Sequence, residues 1–274
     1  MMIQQIPTLL DWLATLPPDV VNAATSYAIA MVLLALLLLI SKWQGLGVGN
    51  KLIIGTIRGT VQIILMALIL LEIFALENLA IIFFVLLFMA TFAAYTVRGN
   101  LDHIPGGFAT SLPGIIAGGV GVMALVTVLG IVEQTGEFII PMGGMVIGNS
   151  MGMTSLVLDR MWSNAQKQRA LMETALALGA SPIQATEVTI RESIRSGMLP
   201  NLNRYASLGI VSIPGLMSGM IIGGVNPVAA AFYQVIIFIM IFLSTVICGL
   251  IVSRLFLKHM FNEKLQLTVP PPTE

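Results

Sequence analysis

Charge is scarce in this chain. Of 274 residues, 9% are Asp, Glu, Lys or Arg, and thirteen cations balance thirteen acids. A net charge of zero leaves no basic field to attract nucleic acid. Cysteine is nearly absent. Cys248 stands alone inside an apolar run, which excludes a disulfide framework and a multi-cysteine metal site. The two histidines, His103 and His259, fall outside the apolar runs. No G-x-x-x-x-G-K-[ST] occurs, so no P-loop binds ATP here, and no H-E-x-x-H is present. No Lys or Arg precedes Lys42, so the basic flank of a secretory signal is missing.

Apolar surface is abundant. The chain is 57% hydrophobic, with mean hydropathy +0.96, more than a soluble domain of this size can bury. The fold class is therefore an all-α polytopic membrane protein, with membrane lipid as its solvent. A bilayer core needs about 20 apolar residues per helix. On that measure seven spans are expected, over 22–41, 59–76, 78–97, 110–132, 138–158, 205–224 and 229–253. A short interfacial helix over 6–20 is expected to end at Pro17-Pro18, and the tail 268–274 reads as disordered. In this arrangement all thirteen Lys and Arg, from Lys42 to Lys264, fall on one side. The other side carries only acids: Asp11, Asp19, Glu72, Glu77, Glu133 and Glu137. The positive-inside rule then places the N-terminus outside and the C-terminus in the cytoplasm. The chain is expected to be a single multi-pass domain over 1–274, in the cell (inner or plasma) membrane.

The one long polar interval, 159–204, lies on the cytoplasmic side of that scheme. Two helical patterns fill it, from about Ser163 to Leu178 and from Pro182 to about Met198. Between them stands Gly-Ala-Ser-Pro. Gly179 suits a left-handed helix end, and Pro182 suits the first position of the next helix after Ser181. The result is a blunt knob whose Ala-rich helix can dock closely into a groove, or else an ordinary solvated connector.

Two glycine triplets mark the spans on either side of this knob. Gly144, Gly148 and Gly152 repeat at intervals of four in span five, as Gly215, Gly219 and Gly223 do in span six. Such ridges allow close helix contact. Pro141 and Pro214 suit hinges, since each removes a backbone donor. Met142, Met145, Asn149, Ser150, Met217 and Ser218 are the candidates to line a path. Clustered thioethers suit soft metals, and methionine is equally a flexible core filler. No acid lies near a span centre, so the residues themselves define no iron site. An intramembrane enzyme would need acids or histidines at depth, and none is there.

Glu173, Ala175 and Gly179 in ETALALGASP resemble the E-A-A-x-x-x-G coupling loop of ABC-transporter membrane subunits. The downstream I-x-L-P of that pattern is displaced: Thr189 takes the isoleucine position, and the nearest Leu-Pro is Leu199-Pro200. The run from PMGGMVIGNSM (141–151) through LGASP, IRESIR (190–195) and GIVSIPGLMSGMIIGGVNPVAAAFYQ (209–234) is similar to the FetB family of iron-export permeases, whose plant relatives are linked to aluminium tolerance. The resemblance implies a permease that works as a homodimer with a separate cytoplasmic ATP-binding subunit. ATP and Mg would be used by that partner, with no cofactor on this chain. Glu173, Ala175, Gly179, Ala180, Ser181 and Pro182 would form the docking segment, with Glu173 capping or orienting its helix. The implied cargo is iron or a related metal, with a sugar nucleotide as the alternative. An assembly factor without a transport role is the other reading.

Overall fold

The computed structural model describes residues 17–74 and 78–271. Among them are ten α-helices, one π-helical stretch and no strand. Five helical segments are long and apolar enough to cross a membrane: Pro18–Trp43, Gly49–Leu70, Leu79–Asn100, Gly107–Val128 and Pro227–Met260. The contacts divide the chain into two units, Met1–Leu71 and Glu72–Glu274.

In the first unit, α1 (Pro18–Trp43) is followed by α2 (Gly49–Phe74), whose last turn crosses into the second unit. Pro17 is the N-cap of α1 and Pro18 its first residue, so these prolines begin a helix here. The rest of the expected interfacial helix, to residue 16, lies outside the described residues. Gly45 and Gly47 adopt left-handed φ of 66° and 67° in the turn between the helices. The Tyr27 and Thr60 hydroxyls meet at 2.7 Å between them. Most remaining side chains are exposed aliphatics, as lipid contact requires.

The second unit holds the core. Its first complete helix is α3 (Leu79–Asn100), capped by Asn78, which accepts from the Ala80 N–H at 2.9 Å. Next, α4 (Gly107–Ile115), a π stretch (Ile116–Val120) and α5 (Gly121–Val128) run on as one segment. Then come α6 (Gly136–Lys167), α7 (Arg169–Ala177), α8 (Pro182–Ala206), α9 (Gly215–Ile222) and α10 (Pro227–Met260). The helix α6 is central, packing on α3, α8, α10 and the π stretch.

The tightest approaches are made by glycines outside the two triplets, although a Cβ on Gly144 would also lie 3.1 Å from Met89 Cε. A Cβ on Gly118 would lie 2.7 Å from the Ser244 carbonyl oxygen and 2.9 Å from Cys248 Cβ. One on Gly143 would lie 2.6 Å from Leu86 Cδ2, and Met153 fills the space beside Gly197 and Gly249 at 2.3 and 2.7 Å. By contrast Gly148, Gly152, Gly215 and Gly219 meet nothing within 4 Å.

Four expected boundaries change. The helix expected from about Ser163 to Leu178 is divided at Gln168, since α6 runs on to Lys167 and α7 begins at Arg169. Span six, 205–224, is not one helix: α8 ends at Ala206, the chain leaves helical geometry over 207–214, and the eight-residue α9 follows. Gly209, at φ 79°, and Pro214, which leads into α9, account for the break. The helix expected to stop near Met198 runs on past an internal Pro200. The tail expected to be disordered from 268 is ordered at its start, with Val269 fully buried and the Thr268 N–H donating to the Met260 carbonyl. Residues 272–274 lie outside the described part.

Candidate functional site

The knob is built by two local motifs. At the end of α7, the Ala180 N–H bonds the Ala175 carbonyl and the Gly179 N–H bonds that of Leu176, both at 3.0 Å. This is the Schellman pattern, and Gly179 supplies its left-handed residue at φ 92°. At the start of α8, Ser181 Oγ accepts from the Gln184 N–H at 3.4 Å and Gln184 Oε1 accepts from the Ser181 N–H at 2.8 Å. That capping box, with Pro182 at the first helical position, launches α8. The expected turn is thus present residue by residue.

Glu173 does something other than cap. It accepts from Arg169 Nε at 2.8 Å, one turn earlier on α7. The same arginine donates through a second nitrogen to the Val269 carbonyl at 2.6 Å. Met172 is buried beneath the knob. Leu171, Leu178 and Ile183 are 69%, 84% and 62% exposed and give it an apolar tip. Arg169, Glu173, Leu176 and Ala180 border a groove with Lys264–Leu267 on its far wall.

The path candidates separate into two groups. Ser150 is fully buried and shares a hydrogen bond with Ser244 of α10. Thr154 and Cys248 meet at 3.0 Å one turn further along. These groups join α6 to α10 as polar glue. Met142 is 1% exposed and part of the core. Met145 and Asn149 are half-buried on the side of α6 that carries open Gly148 and Gly152, and Asn149 Nδ2 donates to the Met145 carbonyl at 2.8 Å. Met217 and Ser218 lie half-buried on α9, against α10, with Ser218 Oγ donating to the Pro214 carbonyl at 3.3 Å. The methionines therefore do not form one ladder: Met142 and Met153 fill the core.

Among the described residues, no three His, Cys, Asp or Glu stand close enough together to hold a metal ion. His259 stacks on Phe256 and lies against Gly106. Asp11 and Glu77 of the expected acidic face lie outside the described residues.

Sequence reasoning missed Arg169–Val269, Ser244 and the packing glycines 114, 118, 143, 197 and 249. It also missed the setting of Tyr205, whose ring meets Phe238 and Phe242 of α10 with centroids 5.5 and 5.4 Å away. A Ser or Gly in a long apolar helix carries no mark of which neighbour it will meet.

Five helices apolar and long enough to cross a membrane, three of them packed against the glycine-rich α6, define a multi-pass membrane protein. Residues 24–261 match the family described as UPF0014, an uncharacterised protein family, and the chain belongs to it. It is 31% identical over 238 residues to "UPF0014 membrane protein STAR2" of Oryza sativa subsp. japonica, covering 87% of this chain and 84% of that one. It is 28% identical over 244 residues to "Probable iron export permease protein FetB" of Escherichia coli strain K12, covering 89% and 94%. It is 31% identical over 257 residues to "Protein ALUMINUM SENSITIVE 3" of Arabidopsis thaliana, covering 94% and 93%. No solved structure matches.

Proposed function

We propose that this chain is the membrane permease subunit of an ABC transporter, working as a homodimer with a separate cytoplasmic ATP-binding subunit that uses ATP and Mg. The observation that carries this is the apolar-tipped knob held by α7, Gly179 and α8. Exposed leucines and isoleucine on a rigid polar segment suit insertion into a partner's cleft. The permease title of the bacterial relative supports the same reading. In this scheme α6 is a span with its open glycine face toward the second copy, and the N-terminus is outside. Closure of the ATP-binding subunits pushes on the knob. The push passes directly into α6 and α8, which flank it. The cargo is iron or a related metal, by analogy with that relative, and the alternative is a non-metal such as a sugar nucleotide.

The test is a mild-detergent pull-down of this chain from its own membranes, with mass spectrometry of what accompanies it, in wild type and Gly179→Asp. Recovery of an ATP-binding subunit with wild type alone supports the reading. Absence of one from both preparations refutes it and leaves an assembly factor as the better account.

A further inference from the structure

The helix α8 is polar, yet it does not stay at the knob. It climbs between α6 and α10. Gly197 meets Met153 and Val157 of α6, and Ile194 reaches the position of Gly249 on α10. Higher still, the Tyr205 ring packs against Phe238, tilted by 44°, and meets Phe242 edge-on. These contacts fix the level of its end. Along α10, Phe242 lies about 27 Å from Met260, and Phe238 about 16 Å from Pro227. Both therefore sit deep within an apolar helix long enough to span a bilayer. Arg204, adjacent to Tyr205, is carried to that depth.

Arg204 is exposed, and among the described residues its side chain has no ion-pair or hydrogen-bond partner. The elements packed around this level supply no counter-ion: residues 138–158 of α6, all of α9 and all of α10 contain no Asp or Glu. The carbonyls at the end of α8 favour a cation there but do not balance a full charge. A guanidinium against hydrocarbon is strongly unfavourable, so such a group faces water or a bound partner.

The backbone agrees independently. One turn beyond Arg204 the chain leaves the helix, and Ile210 and Val211 of the 207–214 segment are 93% and 81% exposed. Non-helical backbone at membrane depth survives only where protein or a water-filled cavity covers it. A broken helix near the midplane is also where membrane transporters hold their cargo.

We propose that Arg204 lines the translocation path at this break, and that cargo passes it as an anion. The proposal rests on the permease reading and adds the charge class of what is carried. A metal would cross as a negatively charged complex, not as a bare cation.

The experiment reads the local field without needing the cargo. In a Cys248→Ser background, Ser207→Cys places a thiol one turn from Arg204. Asn203→Cys, its neighbour, serves as a second variant if the first fails to insert. Intact transporter in membranes is treated with sulfonatoethyl (anionic) and trimethylammonioethyl (cationic) methanethiosulfonate. Rates are compared with those on a free thiol. The expected result is reaction with both reagents, with the anion favoured about tenfold after that correction. Arg204→Lys retains the preference and Arg204→Gln abolishes it. Labelling by a lipid-soluble maleimide alone overturns the proposal, because the site then faces lipid. So does a preference for the cation, or one that Arg204→Gln leaves unchanged. Failure of the permease reading is read separately, from the missing ATP-binding subunit.

Discussion

Arg169 and Val269 are a hundred residues apart in the chain and 2.6 Å apart in space, guanidinium to backbone carbonyl. The bond ties the C-terminal segment to α7, the helix beneath the apolar tip. The C-terminal segment is thus a brace for the knob. Val269 and Leu267 are buried beside it, so the brace has an apolar contribution as well.

Arg169→Met removes a charge-assisted hydrogen bond and the ion pair to Glu173 together. The expected local loss is about 1.5–3 kcal/mol, the range for hydrogen bonds to charged groups. Hydrogen exchange at 261–269 should rise accordingly, while Glu173→Gln should leave it close to wild type. Equal exchange in wild type and Arg169→Met would assign the brace to apolar burial alone.

A Cβ placed on Gly179 would meet nothing within 4 Å, so substitution there strains the backbone without a clash. Asn tolerates left-handed φ, Ala tolerates it poorly and a β-branched residue worst. Co-purification of the partner should therefore fall in the order Gly179→Asn, Gly179→Ala, Gly179→Val, with Ala costing about 1 kcal/mol locally. Equal recovery for all three would show that the turn's shape does not matter for docking.

Gly118 and Gly148 should behave oppositely. Gly118→Ala drives a methyl into the Ser244 carbonyl, which is backbone and cannot rotate away. A loss of about 1–3 kcal/mol is expected and would appear as earlier thermal unfolding in detergent. Gly148→Leu faces open space, so the fold should hold while dimer formation and transport fall. A fully dimeric, active Gly148→Leu would return that face of α6 to lipid.

Asn149 donates to a carbonyl of its own helix, so its removal leaves no buried orphan on another element. Asn149→Ala should retain stability within about 0.5 kcal/mol. It should change cargo-stimulated ATP hydrolysis in the reconstituted complex if the open side of α6 borders the path. An unaltered response would remove Asn149 from the path.

The sequence by itself determined the class and most of the turns. Its apolar content requires lipid. The spacing of Gly179, Ser181 and Pro182 is enough to build the knob, because helix ends are decided by neighbours within six residues. Family membership was legible in ETALALGASP and in the run that ends at Gln234. Tertiary structure decided which glycines pack, since a Gly-x-x-x-Gly ridge is only an offer of close approach until a partner helix arrives. It also decided the brace from Arg169 to Val269, because no local rule links residues a hundred apart. And it decided where α8 ends, with Tyr205 beside Phe238 and Phe242 of α10. A hydropathy reading treats α8 as a free polar helix, whereas its packing against α6 and α10 covers its polar groups on one face and leaves them open on the other.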